Sequence, residues 1–120
     1  MANVDEQYTN FGGVLYNGKF YNIQWQPINI TSSGNTIIIP AISSKIFRII
    51  SILFSSSLSR NVQLQSGSTI VIPNLNLGSN FPYFINAYPG YIMDTTIGQA
   101  FIINYSGSGT LGGFVNYISI

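Results

Sequence analysis

The chain contains three carboxylates, Asp5, Glu6 and Asp94, and no His or Cys, so the chemistry open to it is narrow. General acid–base catalysis needs two groups held at a fixed separation with distinct pKa values. Asp5 and Glu6 are adjacent and point to opposite sides of an extended chain, and Asp94 stands far along the sequence. Without an imidazole, the nucleophile–base templates lack their base. Ser44-Lys45 could be drawn as a Ser/Lys pair, but strand neighbours face apart. No catalytic residue is assigned, and the expectation is a protein that is not an enzyme.

Metal and cofactor chemistry meet the same shortage. Zinc wants Cys or His. Calcium could use Asp94 with Thr95, Thr96 and backbone carbonyls, but one carboxylate makes a weak site. Asp94-Thr95-Thr96-Ile97-Gly98 reads better as a turn with an Asx-type hydrogen bond. Gly107-Ser108-Gly109 and Gly112-Gly113 precede no helix signal and have no Lys at the offset a phosphate cradle requires. They read as a hairpin loop and a close-packing point. No metal and no cofactor are expected. Lys19, Lys45, Arg48 and Arg60 are scattered rather than striped, which argues against nucleic acid as a partner.

Binding is the chemistry that remains. Tyr83, Tyr88 and Tyr91 offer flat apolar faces with polar tips, a type enriched at interfaces. They could stack on a sugar with help from Asn80 and Asn86, or pack within a loop or subunit interface. Pro82 and Pro89 favour the packed use. Arg48 lies mid-strand among apolar neighbours, where a lone buried charge is costly. It must therefore face solvent or another subunit, or meet an acid. Asp94 is the only acid beyond the first six residues, so an Arg48–Asp94 pair is expected, within one subunit or between two.

The elements that position these residues read as strands. Ile, Val, Thr, Tyr and Phe dominate, and 12 Gly and 5 Pro punctuate the apolar runs. Residues 1–12 read as a polar arm and 13–120 as one domain. Asn17-Gly18 between Val14-Leu15-Tyr16 and Lys19-Phe20-Tyr21 is a strong hairpin signal, because both residues tolerate positive φ. Ile23 to Gln26 alternates, and Pro27 marks an edge or a bulge. Beyond it the apolar phase moves to Ile28 and Ile30, as a bulge would cause. Further strands fall over Thr36 to Ile39, Lys45 to Phe54, Asn61 to Gln65, Thr69 to Ile72, Gln99 to Tyr105 and Gly113 to Ile120. Residues 74–98 are the least regular. The expected fold class is all-β: an antiparallel sandwich of jelly-roll or Greek-key type, with about eight strands and an extended N-terminal arm.

Two segments are apolar on both faces. Thr36 to Ile39 is one. In the other, strict alternation puts Phe47, Ile49 and Leu53 on one side and Ile46, Ile50, Ile52 and Phe54 on the opposite side. An antiparallel sheet usually shows one face to water, so the second face needs a cover. Charged residues make up 6% of the chain and apolar residues 46%, against about a quarter charged in an ordinary soluble domain. Self-association follows. Ile37, Ile39, Phe47, Ile49 and Leu53, with Arg48, are the candidate interface. The run Ile46 to Phe54 is broken by Arg48 and Ser51 and falls short of the ~20 residues a membrane helix needs, and the first residues show no export signal. The expectation is a chain made in a cytoplasm with no membrane partner.

From Lys45 onward the sequence resembles a group of small β-sandwich proteins encoded by tailed bacteriophages. Lys45-Ile46-Phe47-Arg48-Ile49-Ile50-Ser51 and Val62-Gln63-Leu64-Gln65-Ser66-Gly67-Ser68-Thr69 carry the resemblance. Gly98-Gln99-Ala100, Ile103-Asn104-Tyr105-Ser106 and Gly112-Gly113-Phe114-Val115-Asn116-Tyr117 complete it, so that it covers about two thirds of the chain. The resemblance implies a virion structural role: a trimeric jelly-roll subunit cementing the capsid surface, or the head of a fibre. It brings no catalytic residues, and the first 44 residues lie outside it. The expectation is a homotrimeric decoration subunit bound to the major capsid protein or another virion protein, assembled into the virion in the host cytoplasm. The alternative is a receptor-binding fibre or tail head that uses Tyr83, Tyr88 and Tyr91 to hold a host glycan. A pilus or surface-layer subunit is a third possibility that would need an export route.

Overall fold

The structure, a computed structural model, describes residues 12–120, and every regular element in them is a β-strand. The expected arm lies outside the described residues except for Gly12. β1 (Gly13–Tyr16) and β2 (Lys19–Asn22) form the hairpin forecast from Asn17-Gly18. Both turn residues have positive φ, 51° and 75°, as a type I′ turn requires. The sandwich follows: β3 (Gln24–Ile30), β4 (Gly34–Ile39), β5 (Phe47–Ser56), β6 (Arg60–Ser66), β7 (Thr69–Leu77), β8 (Tyr83–Asn86), β9 (Met93–Asp94), β10 (Phe101–Tyr105) and β11 (Leu111–Ser119).

One sheet runs β3-β11-β5, with β8 and β9 placed one after the other along the far edge of β5. The other runs β4-β10-β6-β7, and all these strand pairs are antiparallel. If β8 and β9 count as one interrupted strand, eight strands fall four to each sheet in jelly-roll order, the chain changing sheet at every connection except the β6–β7 hairpin. The all-β antiparallel sandwich expected from the sequence is the observed architecture. Pro27 and Pro73 lie in β3 and β7, both edge strands, where a missing N–H breaks no inner ladder.

The core fills the space between the sheets. Phe47, Ile49, Ile52 and Phe54 of β5 face Leu64 of β6 and Phe101 and Ile103 of β10, all essentially inaccessible to solvent. Strict alternation cannot put those four β5 residues on one face, and the register shows why it fails. Asn116 pairs with Ser51 and Tyr117 with Ile49, so Ile50 is an extra residue, a β-bulge. The sequence-based division of this strand is corrected accordingly: Ile39, Phe47 and Ile49 belong to the inter-sheet core, and Leu53 and Arg48 face outward. Ile38 of β4 is a second extra residue, since Phe101 pairs with Ile39 and Ile102 with Ile37.

The expected bulge at Pro27 is absent. β3 keeps continuous register with β11 from Ile30 to Gln24. Its apolar phase changes because Ile28 and Ile30 face the core while Ile23 and Trp25 face out into a groove.

β11 runs beside β5 at very close range where Gly113 pairs with Phe54. Gly113 has φ +147°, and a Cβ there would collide with the carbonyl of Leu53. Gly113→Ala is expected to cost at least about 2 kcal/mol, through backbone strain and overpacking together. Urea denaturation should show a lower midpoint with an unchanged slope.

Candidate functional site

The bulge at Ile50 shapes the outer face of the larger sheet. It turns both Ile50 and Ser51 outward, and the neighbouring edge breaks at the same point. Asn86 is the last residue of β8 to pair with β5, and pairing resumes at Met93. Between them the loop is tied back at its two ends, Ala87 N–H to the Ile50 carbonyl (3.1 Å) and Ile92 N–H to the Ile49 carbonyl (2.7 Å). This excursion carries Tyr88 and Tyr91.

At one end of the face, Arg48 makes a two-pronged ion pair with Asp94, Nε to Oδ1 and Nη2 to Oδ2, both at 2.8 Å. The pair expected from sequence is therefore made within one subunit. The bond to Asp94 holds the Arg48 pKa above its ordinary value, against the opposing effect of burial. The guanidinium also lies 3.9 Å from the Tyr91 ring centre and 4.8 Å from that of Tyr16, a cation–π arrangement on two rings. Arg48 thus joins β5, the 87–92 loop and the β1–β2 hairpin. The Tyr88 hydroxyl donates to the Gly13 carbonyl (3.3 Å), adding a second tie.

Beside this clasp lies a groove of about 430 Å³. Successive cross-strand pairs place Trp25, Asn116, Ser51 and Asn86 in one row, and Pro27, Phe114, Leu53 and Phe84 in the next. Trp25, 57% exposed, stands on the β3 side, and Phe84, 58% exposed, on the β8 side. Tyr88 and Ile23 close the end toward the hairpin. Asn116 Nδ2 donates to Ser51 Oγ (2.9 Å), and Asn86 Oδ1 accepts from the Tyr88 N–H (3.1 Å). None of the lining residues carries a charge.

The smaller sheet has a different outer face. Ile37, Ile102, Gln65 and Ile70 form one row across all four strands. Ile37 is 60% exposed, and Ile70 and the adjacent Val71 are also exposed. Gln65 is 4% exposed; its Nε2 donates to Asn35 Oδ1 (3.2 Å), while Oε1 is buried without a partner among the described residues.

The structure disperses the candidate residues. Of the proposed interface, Ile37 stands at the surface, Leu53 is half-buried under Phe114 and Phe84, and Ile39, Phe47 and Ile49 are core. Of the three tyrosines, Tyr83 points inward onto Phe54, with ring centres 5.7 Å apart. Tyr91 is stacked on Arg48, and Tyr88 alone borders the groove. Trp25, Phe114, Asn116 and Phe84 were not singled out from the sequence. For Trp25 the signal was the change of apolar phase around Pro27, which marks a strand with apolar groups on both faces. Phe114, Asn116 and Phe84 lie on β11 and β8 and join it only through strand pairing. Asp94 is committed to Arg48. Asp94 lies in β9 and Thr95 Oγ1 accepts from the Phe47 N–H of β5 (2.8 Å), so the expected Asx-type bond is not made. The turn falls later, at Ile97-Gly98, closed by the Gln99 N–H to the Thr96 carbonyl (3.0 Å).

A scan against protein-family models finds no match for this chain, and a search of curated proteins finds no significant match either.

Asp94→Asn keeps the shape of the clasp and removes its charge. Because both partners are partly shielded, a loss of about 1–3 kcal/mol is expected. Amide hydrogen exchange should accelerate most over Gly13 to Asn22, the hairpin that Arg48 holds through Tyr16.

Proposed function

We propose that this protein is a non-catalytic structural subunit that assembles with its own copies through the outer face of the β4-β10-β6-β7 sheet. The row Ile37-Ile102-Gln65-Ile70 is the observation that carries this proposal. In a solitary antiparallel sandwich that face should be polar throughout, as the neighbouring row Asn35-Asn104-Gln63 is, yet three of the four residues in this row are isoleucine. Covering them removes apolar surface from water at roughly 25 cal/mol per Å². The scarcity of charge supports the same conclusion, because permanent interfaces are less charged than ordinary surfaces. The chemistry of the chain agrees: its one carboxylate beyond Asp5 and Glu6 is held by Arg48.

The setting proposed for the assembly is a bacteriophage virion, with the subunit a homotrimer that decorates and cements the capsid. That part rests on the resemblance of residues 45–117 to small phage β-sandwich proteins. Cyclic closure is a common solution for identical subunits.

Native mass measurement tests the assembly. The purified protein is expected to be a trimer that co-sediments with empty capsids. An Ile37→Asp, Ile70→Asp double variant places two charges in the contact, and its association should weaken by roughly a hundredfold or more. Its melting as a monomer should change little, since both side chains are exposed. A wild-type chain that stays monomeric at high concentration would overturn the proposal.

A further inference from the structure

We infer that the groove between Trp25 and Phe84 is a binding site for an uncharged carbohydrate. It lies on the sheet opposite the proposed assembly face, so the inference neither uses nor requires that interface.

Three features of the groove select this ligand class. Its walls carry aromatic rings on both sides, Trp25 with Phe114 on one and Phe84 with Tyr88 on the other. A ring face bears the negative part of the aromatic quadrupole, and the axial C–H groups of a pyranose are its natural complement. Between the walls run Asn116, Ser51 and Asn86, a row of amide and hydroxyl groups able both to donate and to accept. Sugar hydroxyls require that dual capacity, because each one also donates and accepts. Asn116 is oriented by its bond to Ser51, and Asn86 by its bond from the Tyr88 N–H. Each therefore keeps one end, Oδ1 of Asn116 and Nδ2 of Asn86, without an intramolecular bond among the described residues.

The third feature is charge. None of the lining residues is ionised, and the nearby Arg48 is engaged by Asp94 and two tyrosines. None of the described residues lining the groove would pair its charge with a phosphate, a sulfate or a sialic-acid carboxylate. An extended peptide is also a poorer fit. It would pair with the free backbone edges of β3 or β8, whereas the groove crosses the sheet face and offers side chains. At about 430 Å³ the space lies within the range of small-molecule sites and suits one or two sugar rings. A decoration or fibre subunit with such a site would tether its particle to a neutral polysaccharide surface.

Trp25 is the only tryptophan in the chain, so its fluorescence reports on this groove directly. The whole protein is titrated separately with methyl glycosides of glucose, galactose, mannose and N-acetylglucosamine, with lactose, cellobiose and chitobiose, and with sialyllactose as the charged control. At least one neutral sugar is expected to shift Trp25 emission saturably, with a Kd on the order of 1 mM for so small a ligand. Sialyllactose is expected to bind no better than lactose. Phe84→Ser and Asn86→Ala should each weaken binding roughly tenfold or more, while Asn76→Ala, at an exposed position of β7 outside both the groove and the isoleucine row, should not. Thermal melts of each variant confirm that it is folded. The inference is overturned if no neutral sugar changes the emission, or if the change survives intact in a folded Phe84→Ser variant. It is also overturned if Phe84→Ser dissociates the oligomer, since the groove is then a contact between copies.

Discussion

The larger sheet is organised around one extra residue in its central strand. β5 supplies more of the inter-sheet core than any other strand, and a regular ten-residue strand would split its large apolar groups between two faces. By bulging at Ile50, β5 brings Phe47, Ile49, Ile52 and Phe54 to the same side. Each such side chain contributes about 1.5–3 kcal/mol when fully buried, and the bulge cost is small beside four of them. The outer face bears the consequence. Ile50 and Ser51 lie side by side on it, the edge strand breaks into β8 and β9 opposite them, and the intervening loop delivers Tyr88 to the groove and Tyr91 to Arg48.

The same local event explains where the few charges go. Arg48 precedes the bulge and faces outward from an apolar strand. Its charge is stabilised by a carboxylate in two-point contact and by two aromatic faces. An ion pair at an open surface contributes little, but this one is partly shielded and joins three segments distant in sequence. It fastens the β1–β2 hairpin to the sandwich, beside the end of the groove that Tyr88 and Ile23 close. The bond from the Tyr88 hydroxyl to the Gly13 carbonyl is a further tie between the hairpin and the groove's edge.

The two outer faces differ in kind. On the smaller sheet three isoleucines and a buried glutamine form a row across four strands, a geometry suited to meeting another flat surface. On the larger sheet, raised aromatic walls enclose amides, a geometry suited to a small guest. A solitary soluble domain has no physical need for either, because water-facing strand positions are readily filled by polar residues.

Much of the fold was legible from the chain. Asn17-Gly18 dictated a hairpin through its tolerance of positive φ, Pro27 marked an edge strand or a bulge and the edge is what formed, and β-branched runs between Gly and Ser clusters marked the strands of an all-β sandwich. The Arg48–Asp94 pair followed by elimination, since so few charges were present. Which side chains share a face was not legible. Side-chain alternation has a period of two only while the register is unbroken, and one inserted residue reverses everything beyond it. Whether a bulge forms depends on what partner strands gain in buried area, which is a property of the packed sheets. Thus composition and local chemistry determined the fold class and the turns. Only the tertiary structure decided that Phe47 and Ile49 are core while Trp25 and Phe84 are surface, because that choice rests on long-range pairing with β8 and β11.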